Sequence, residues 1–230
     1  MALEITNSSD IKPAWSTKKC MIIATICLVI GVSIFTVAYI SMHSHLYLDQ
    51  YNQSILSWMV EHRKPQITTI MAFVTSLAGS IYLSGIVSTV AIIWAISKRE
   101  VWRPLLLVMA VGATTIISTA MKSLISNIRP SEINMIKPFE IGYSFPSGHV
   151  LGMTVFLLVF GYLIISRRSS GFRVIIWLIL TAFFVAVIAF SRMYLGYHWL
   201  TDVTASVGIG FIMLTLVILV DRFFIQIFKS

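Results

Sequence analysis

Charge is what this chain has least of. Lys, Arg, Asp and Glu make up only 11% of its 230 residues, and the acids number just 9; a typical soluble domain carries about 25% charged residues. With 57% of residues hydrophobic, so few charges cannot cover a water-facing surface. A soluble globular protein is excluded, and lipid must be the main solvent. Cysteine is almost absent. Cys20 and Cys27 share one apolar run, and seven residues of helix separate them by about 10 Å, too far for a disulfide. Both are expected to be buried thiols. There is no His-Glu-x-x-His and no Asp-rich loop for a divalent cation, no internal repeat and no low-complexity segment. The surplus of +8 forms no patch: basic residues punctuate apolar runs, as membrane-loop anchors do, and nucleic-acid binding is rejected. Residues 1–19 are polar, with Glu4, Asp10, Lys12, Lys18 and Lys19. They do not read as a secretory signal, so the first apolar run is expected to be a retained helix.

What is present is a series of uncharged runs: 21–40, 65–97, 104–121, 150–166, 174–191 and 203–220. A crossing needs about 20 apolar residues. Five runs suit one crossing each, and 65–97 is too long for one and too short for two. Gly79-Ser80 offers a break, predicting a short interfacial or tilted helix near 66–78 and a span near 81–97. The expected fold is therefore all-α: one integral membrane bundle of six transmembrane helices over 20–230, after a cytoplasmic tail, 1–19. The segment 41–64 is expected to hold a surface helix, because Leu46, Tyr47, Tyr51, Ile55, Leu56 and Met59 recur at helical spacing. With both termini cytoplasmic, eleven of the 17 Lys and Arg fall inside and six outside, in keeping with the positive-inside rule. All five histidines, and the segments 122–149 and 191–202, then share the outer face.

Three clusters in those segments carry chemistry: Lys122 with Arg129-Pro130; Pro146-Ser147-Gly148-His149; and Ser191-Arg192, His198 and Asp202. A charge at the bilayer centre costs at least about 2.5–3.5 kcal/mol. Interfacial anchoring by snorkelling accounts for one such residue, but not for Pro-Ser-Gly-His in a loop or for His and Asp four apart. Lys122, Arg129 and Arg192 suit a phosphoryl group, whose charge in transfer spreads over three oxygens that Arg/Lys clamps stabilise. Gly148 lets backbone approach an anion at a helix N-terminus, and Ser147 can add a hydroxyl donor. His198 and Asp202, at i and i+4, share a helix face. A carboxylate on one ring nitrogen fixes the tautomer and leaves the other nitrogen free to attack, making His198 the nucleophile and Asp202 its orienter. His149 remains as general acid, then base. Glu132 and Glu140 read as solvated loop acids, and Tyr143, Phe145, Tyr194, Tyr197 and Trp199 as an interface belt ahead of a tail groove.

The motifs Lys122-x6-Arg129-Pro130, Pro146-Ser147-Gly148-His149 and Ser191-Arg192-x5-His198-x3-Asp202 resemble the three-part signature of the type-2 phosphatidic acid phosphatases. That superfamily also holds lipid phosphate phosphatases, bacterial undecaprenyl-pyrophosphate phosphatases, glucose-6-phosphatase and vanadium haloperoxidases. The likeness implies a metal-independent enzyme without cofactor. Catalysis falls to His198, His149 and Asp202, and phosphate binding to Lys122, Arg129, Ser147, Gly148 and Arg192. A site at the outer interface could hold a lipid's phosphate while its tails stay in the bilayer. Compact size and short loops point to a bacterial plasma membrane, with undecaprenyl pyrophosphate or phosphatidylglycerol phosphate as leading substrates and no obligate protein partner. The competing readings are a lipid phosphotransferase using the same phosphohistidine, a non-catalytic lipid-binding or transport protein, and, more remotely, a haloperoxidase. Asn52-Gln53-Ser54 and Asn7-Ser8-Ser9 match glycosylation sequons, relevant only in a eukaryotic secretory membrane.

Overall fold

Why each run becomes a helix is visible at its ends. The computed structural model describes residues 15–167 and 171–227; the expectations for the tail before residue 15, its sequon, Arg168 and Lys229 lie outside them. Helix α1 (Thr17–Ser44) starts where the Ser16 hydroxyl accepts the Lys19 N–H at 3.2 Å, a side-chain N-cap. It stops at His45, which turns left-handed. The surface helix expected in 41–64 is α2 (Asp49–Glu61). The long run divides as expected: α3 (Pro65–Leu77), opened by Pro65 in the position where a missing N–H is harmless, ends just before Gly79, and α4 (Ser80–Lys98) follows. Then come α5 (Trp102–Ile125), α6 (Gly148–Ile165), α7 (Gly171–Tyr194) and α8 (Leu200–Ile227). Six of these helices, α1 and α4–α8, are long and apolar enough to cross a membrane.

The spanning helices are apolar on most of their surface, so what sorts inside from outside is packing between helices. α6 and α8 form the centre, with α1 along α8, α5 and α7 flanking α6, α4 against α5, and α3 along α7. The α1–α8 contact is made close by glycine: a Cβ on Gly31 would lie 2.7 Å from the Gly208 carbonyl. Small residues of this kind let membrane helices approach until van der Waals packing holds them. Large side chains left outside, such as Ile81, Ile96, Ile116 and Phe172, are exposed, as a lipid-facing surface requires. Cys20 and Cys27 are buried free thiols.

One end of the bundle is tied by a buried polar network. Arg103 donates to both carboxylate oxygens of Asp221 at 3.2 and 3.1 Å and to the Leu163 carbonyl at 2.8 Å. The Tyr162 hydroxyl donates to Asp221 at 2.8 Å, and Arg222 donates to that hydroxyl at 3.2 Å and to the Trp15 carbonyl at 3.3 Å. Arg103 and Arg222, which read as loop anchors, are thus interior groups joining α5, α6, α8 and the start of the chain. The opposite end carries α2 and the connections 126–147 and 195–199, where the three motifs meet.

Candidate active site

The site is built where five chain segments end together. α5 brings Lys122 in its last turn. The connection that follows folds back on itself: Ser144 N–H donates to the Asn127 carbonyl at 2.8 Å, and Arg129 Nε donates to the Gly142 carbonyl at 3.1 Å. α6 begins at Gly148, with Ser147 before it making no side-chain cap bond, so its first amides are open in the way that favours anions. Arg192 closes α7, and His198 stands in the short turn before α8. Lys122, Gly148, His149 and His198 line one open cavity of about 170 Å³, together with Glu140, Ser80, Thr114, Thr115, Ser118 and Thr119.

All eight residues singled out from sequence converge here. Arg129 lies 3.4 Å from His198 Nε2 and also donates to the Tyr197 carbonyl at 2.7 Å. His198 Nδ1 faces Asp202 Oδ2 at 3.2 Å, so Nδ1 carries the proton and Nε2 keeps its lone pair toward the cavity. The His-Asp spacing works differently from expectation. His198 precedes the helix, and Asp202 reaches back over the first turn of α8, where it also accepts the Trp199 N–H at 2.9 Å. Asn127 and the Ser144 hydroxyl, both at 3.2 Å, complete its partners. Burial, reinforced by Arg192, Arg129 and Lys122, holds the His198 imidazole well below its ordinary 6.5, so the ring is neutral at neutral pH. The Ser147 hydroxyl and Arg192 Nε are buried without a hydrogen-bond partner among the described residues. Both are donors of the kind an oxyanion takes up.

Glu140 overturns its sequence reading. Its carboxylate is ion-paired with Arg129 at 3.0 Å and also with Arg192. Burial pushes its pKa up, but Arg192 and Arg129 outweigh that and hold it below the usual carboxylate range. It is an anion seated across the two guanidinium groups, far from a solvated loop acid. The aromatic belt is also corrected. Phe145, Tyr194 and Tyr197 are buried; the Tyr197 ring lies 4.5 Å from the Arg192 guanidinium and its hydroxyl donates to the Ile136 carbonyl at 2.9 Å. Only Tyr143 and Trp199 retain substantial exposure. Asn52 is buried, donating to Asp49 and Thr201 at 2.6 and 3.2 Å, which leaves its sequon without a free amide. Residues unmarked by any motif complete the frame. Thr75 of α3 accepts from Arg192 at 3.2 Å, and Arg63 donates to the Tyr194 and Asn134 carbonyls, both at 2.7 Å. Their partners lie at least 71 residues away, so no local spacing could reveal them.

Comparison with known proteins agrees with this fold. The model of the PAP2 superfamily matches residues 103–225. The chain is 26% identical over 159 residues to phosphatidylglycerophosphatase B of Bacillus subtilis (strain 168), covering 67% of this chain and 75% of that one. Its fold matches the crystal structure of a transmembrane PAP2-type phosphatidylglycerolphosphate phosphatase from Bacillus subtilis with a TM-score of 0.74 at 23% identity, covering 84% of this chain and 96% of that one. The match to Aquifex aeolicus LpxE has a TM-score of 0.53 at 18% identity, over 73% and 94% of the two chains. With its three motifs meeting at one end of the bundle and the family match running through more than half of its length, this chain belongs to the PAP2 superfamily.

Proposed function

We propose that this membrane phosphatase hydrolyses a phosphomonoester or pyrophosphate of a membrane lipid at the outer face through a phosphohistidine. The observation that carries the reading is a cavity lined by neutral His198, Lys122, His149 and Glu140, with Asp202 bonded behind His198 and Arg129 and Arg192 paired to Glu140. The substrate phosphoryl group takes the place of the Glu140 carboxylate between the arginines, with Lys122, the Ser147 hydroxyl and the α6 amides on its remaining oxygens. These cations and dipoles stabilise the charge of transfer. His149 takes the acidic proton of the entering phosphate; His198 Nε2 then attacks phosphorus, an N–P bond forms, and the P–O bond to the leaving group breaks as His149 passes that proton to the departing oxygen. Water then attacks the phosphohistidine and its proton passes to His149. The N–P bond breaks, and inorganic phosphate and neutral His198 are released. Phosphatidylglycerol phosphate is the substrate suggested by the name of the Bacillus subtilis relative; undecaprenyl pyrophosphate fits the same cradle.

Purified protein is expected to release phosphate from such lipids in EDTA and to be inhibited by vanadate. His198→Ala is expected to abolish both turnover and acid-labile phosphoenzyme while the protein stays folded. Phosphoenzyme persisting in His198→Ala overturns the nucleophile; loss of activity on chelation overturns the metal-independent route. The cations support the outer placement. Lys98 and Arg99 end α4 and Arg173 lies in the first turn of α7, both at the end opposite the site, which fits the positive-inside rule. With Cys20 and Cys27 buried, Lys137→Cys is expected to react with a membrane-impermeant maleimide added to intact cells; reaction only after lysis reverses the orientation.

A further inference from the structure

The cavity does not end at the scissile phosphate. Below Lys122, on the same face of α5, stand Thr119, Ser118, Thr115 and Thr114, at the three-, four-, seven- and eight-residue steps that share a helix face. Ser80, at the start of α4, completes the wall. In a membrane helix a hydroxyl is ordinarily satisfied by a carbonyl in the preceding turn. Thr114 does this, donating to Val111 at 2.6 Å, as do Thr154 to Val150 at 2.7 Å and Ser123 to Thr119 at 3.2 Å. The hydroxyls of Ser80, Thr115, Ser118 and Thr119 bond to no group among the described residues. Ser118 is 95% buried, being 5% exposed. Its oxygen lies 3.3 Å from the point where Gly148 would carry a side chain, so it is aimed at the start of α6.

The four groups are neutral. A second phosphate, as in a pyrophosphate, would be expected to draw cations to this wall, yet the cations sit at its upper end and around Glu140. Neutral hydroxyls both donate and accept, which suits the ester and hydroxyl oxygens of a polyol. We propose that Ser80, Thr115, Ser118 and Thr119 form a subsite for the glycerol portion of the substrate, making the enzyme selective for glycerolipid phosphates over prenyl phosphates. The proposal rests on the phosphatase reading above and names the substrate class for that site. Beyond the phosphate oxygen a prenyl phosphate offers only hydrocarbon and would leave these hydroxyls unpaired. A site built to bond substrate oxygens discriminates strongly against an analogue that lacks them.

The test is the ratio of kcat/KM for dioleoyl phosphatidic acid to that for farnesyl phosphate, measured with the full chain in detergent. Both are monoesters, and a ratio cancels any loss of active protein. The isosteric double variant Thr115→Val/Thr119→Val, and separately Ser118→Ala, are expected to lower the ratio about tenfold, the scale of one or two lost hydrogen bonds. The double variant Thr115→Ser/Thr119→Ser keeps the hydroxyls and is expected to keep the ratio. A ratio within twofold of the parent in the valine variant, or an equal fall in the serine variant, overturns the subsite. A parent protein that releases phosphate from neither lipid overturns the phosphatase reading itself, a distinct result.

Discussion

At the scale of single residues, the same guanidinium groups proposed to hold substrate already hold a carboxylate. Glu140 bridges Arg129 and Arg192 and is ionised throughout the working pH range, because its pKa lies below the usual carboxylate value. In the proposed reaction an incoming phosphate displaces it, so part of the arginines' attraction for anions is spent within the molecule. Glu140→Gln removes the charge and keeps the shape. Its Ki for vanadate is expected to fall about tenfold, the factor that corresponds to a competing occupant worth 1.4 kcal/mol; an unchanged or higher Ki would mean that Glu140 orders the arginines without competing. His198 yields a second expectation. With its pKa held well below 6.5 by burial and by Arg192, Arg129 and Lys122, the ring is expected to stay neutral as pH falls through that value. NMR of nitrogen-labelled histidine should show an Nδ1–H tautomer with no titration near pH 6.5; a midpoint there would contradict the buried, cation-flanked setting.

At the scale of elements, the turn that carries His198 is held by groups outside the cavity lining. Arg63, between α2 and α3, donates from Nε to the Tyr194 carbonyl at 3.0 Å and from its terminal nitrogen to Tyr194 and Asn134. This fastens the end of α7 to the loop after Arg129, four residues before His198. Arg63→Met leaves partly buried carbonyls unpaired, at about 1–3 kcal/mol. Both the Tm in detergent and kcat are expected to fall, although Arg63 lies outside the cavity lining; a normal kcat would show that the turn keeps its shape unaided. The helices themselves were legible. The break at Gly79-Ser80 and the surface helix before Pro65 follow from composition and periodicity, because a change from apolar to polar and a Gly or Pro are local signals. Arg63, Thr75 and Glu140 were not legible as parts of the frame. Most of their partners are distant in sequence, and an Arg or Glu in a loop looks the same whether solvated or enclosed.

Across the whole molecule, the two ends of the bundle use charge for opposite purposes. At the site end, Ser147 and Arg192 keep donors open. At the other end, Arg103 and Asp221 are fully buried and bonded to each other, to the Leu163 carbonyl and to the Tyr162 hydroxyl. Removing one partner of such a pair costs about 3–5 kcal/mol, while replacing both by apolar groups is often neutral. Arg103→Met is therefore expected to lower the Tm sharply, and Arg103→Met/Asp221→Leu to recover most of the loss, measured by thermal melting in detergent. Failure of the double variant to recover would assign the lock to Tyr162 and Arg222 instead.

The sequence by itself determined the solvent, the number of crossings, the rough limits of every spanning helix and the residues of the three motifs. Each of these depends on side-chain type and short spacing, quantities that lie along the chain. Only the tertiary structure decided which groups face one another. It turned a loop glutamate into the partner of two arginines, two anchors into members of an interior polar network, three of five belt aromatics into core, and hydroxyls of α5 into one wall of the cavity. Burial and pairing arise when distant segments exclude water together, and no single stretch of chain carries that information.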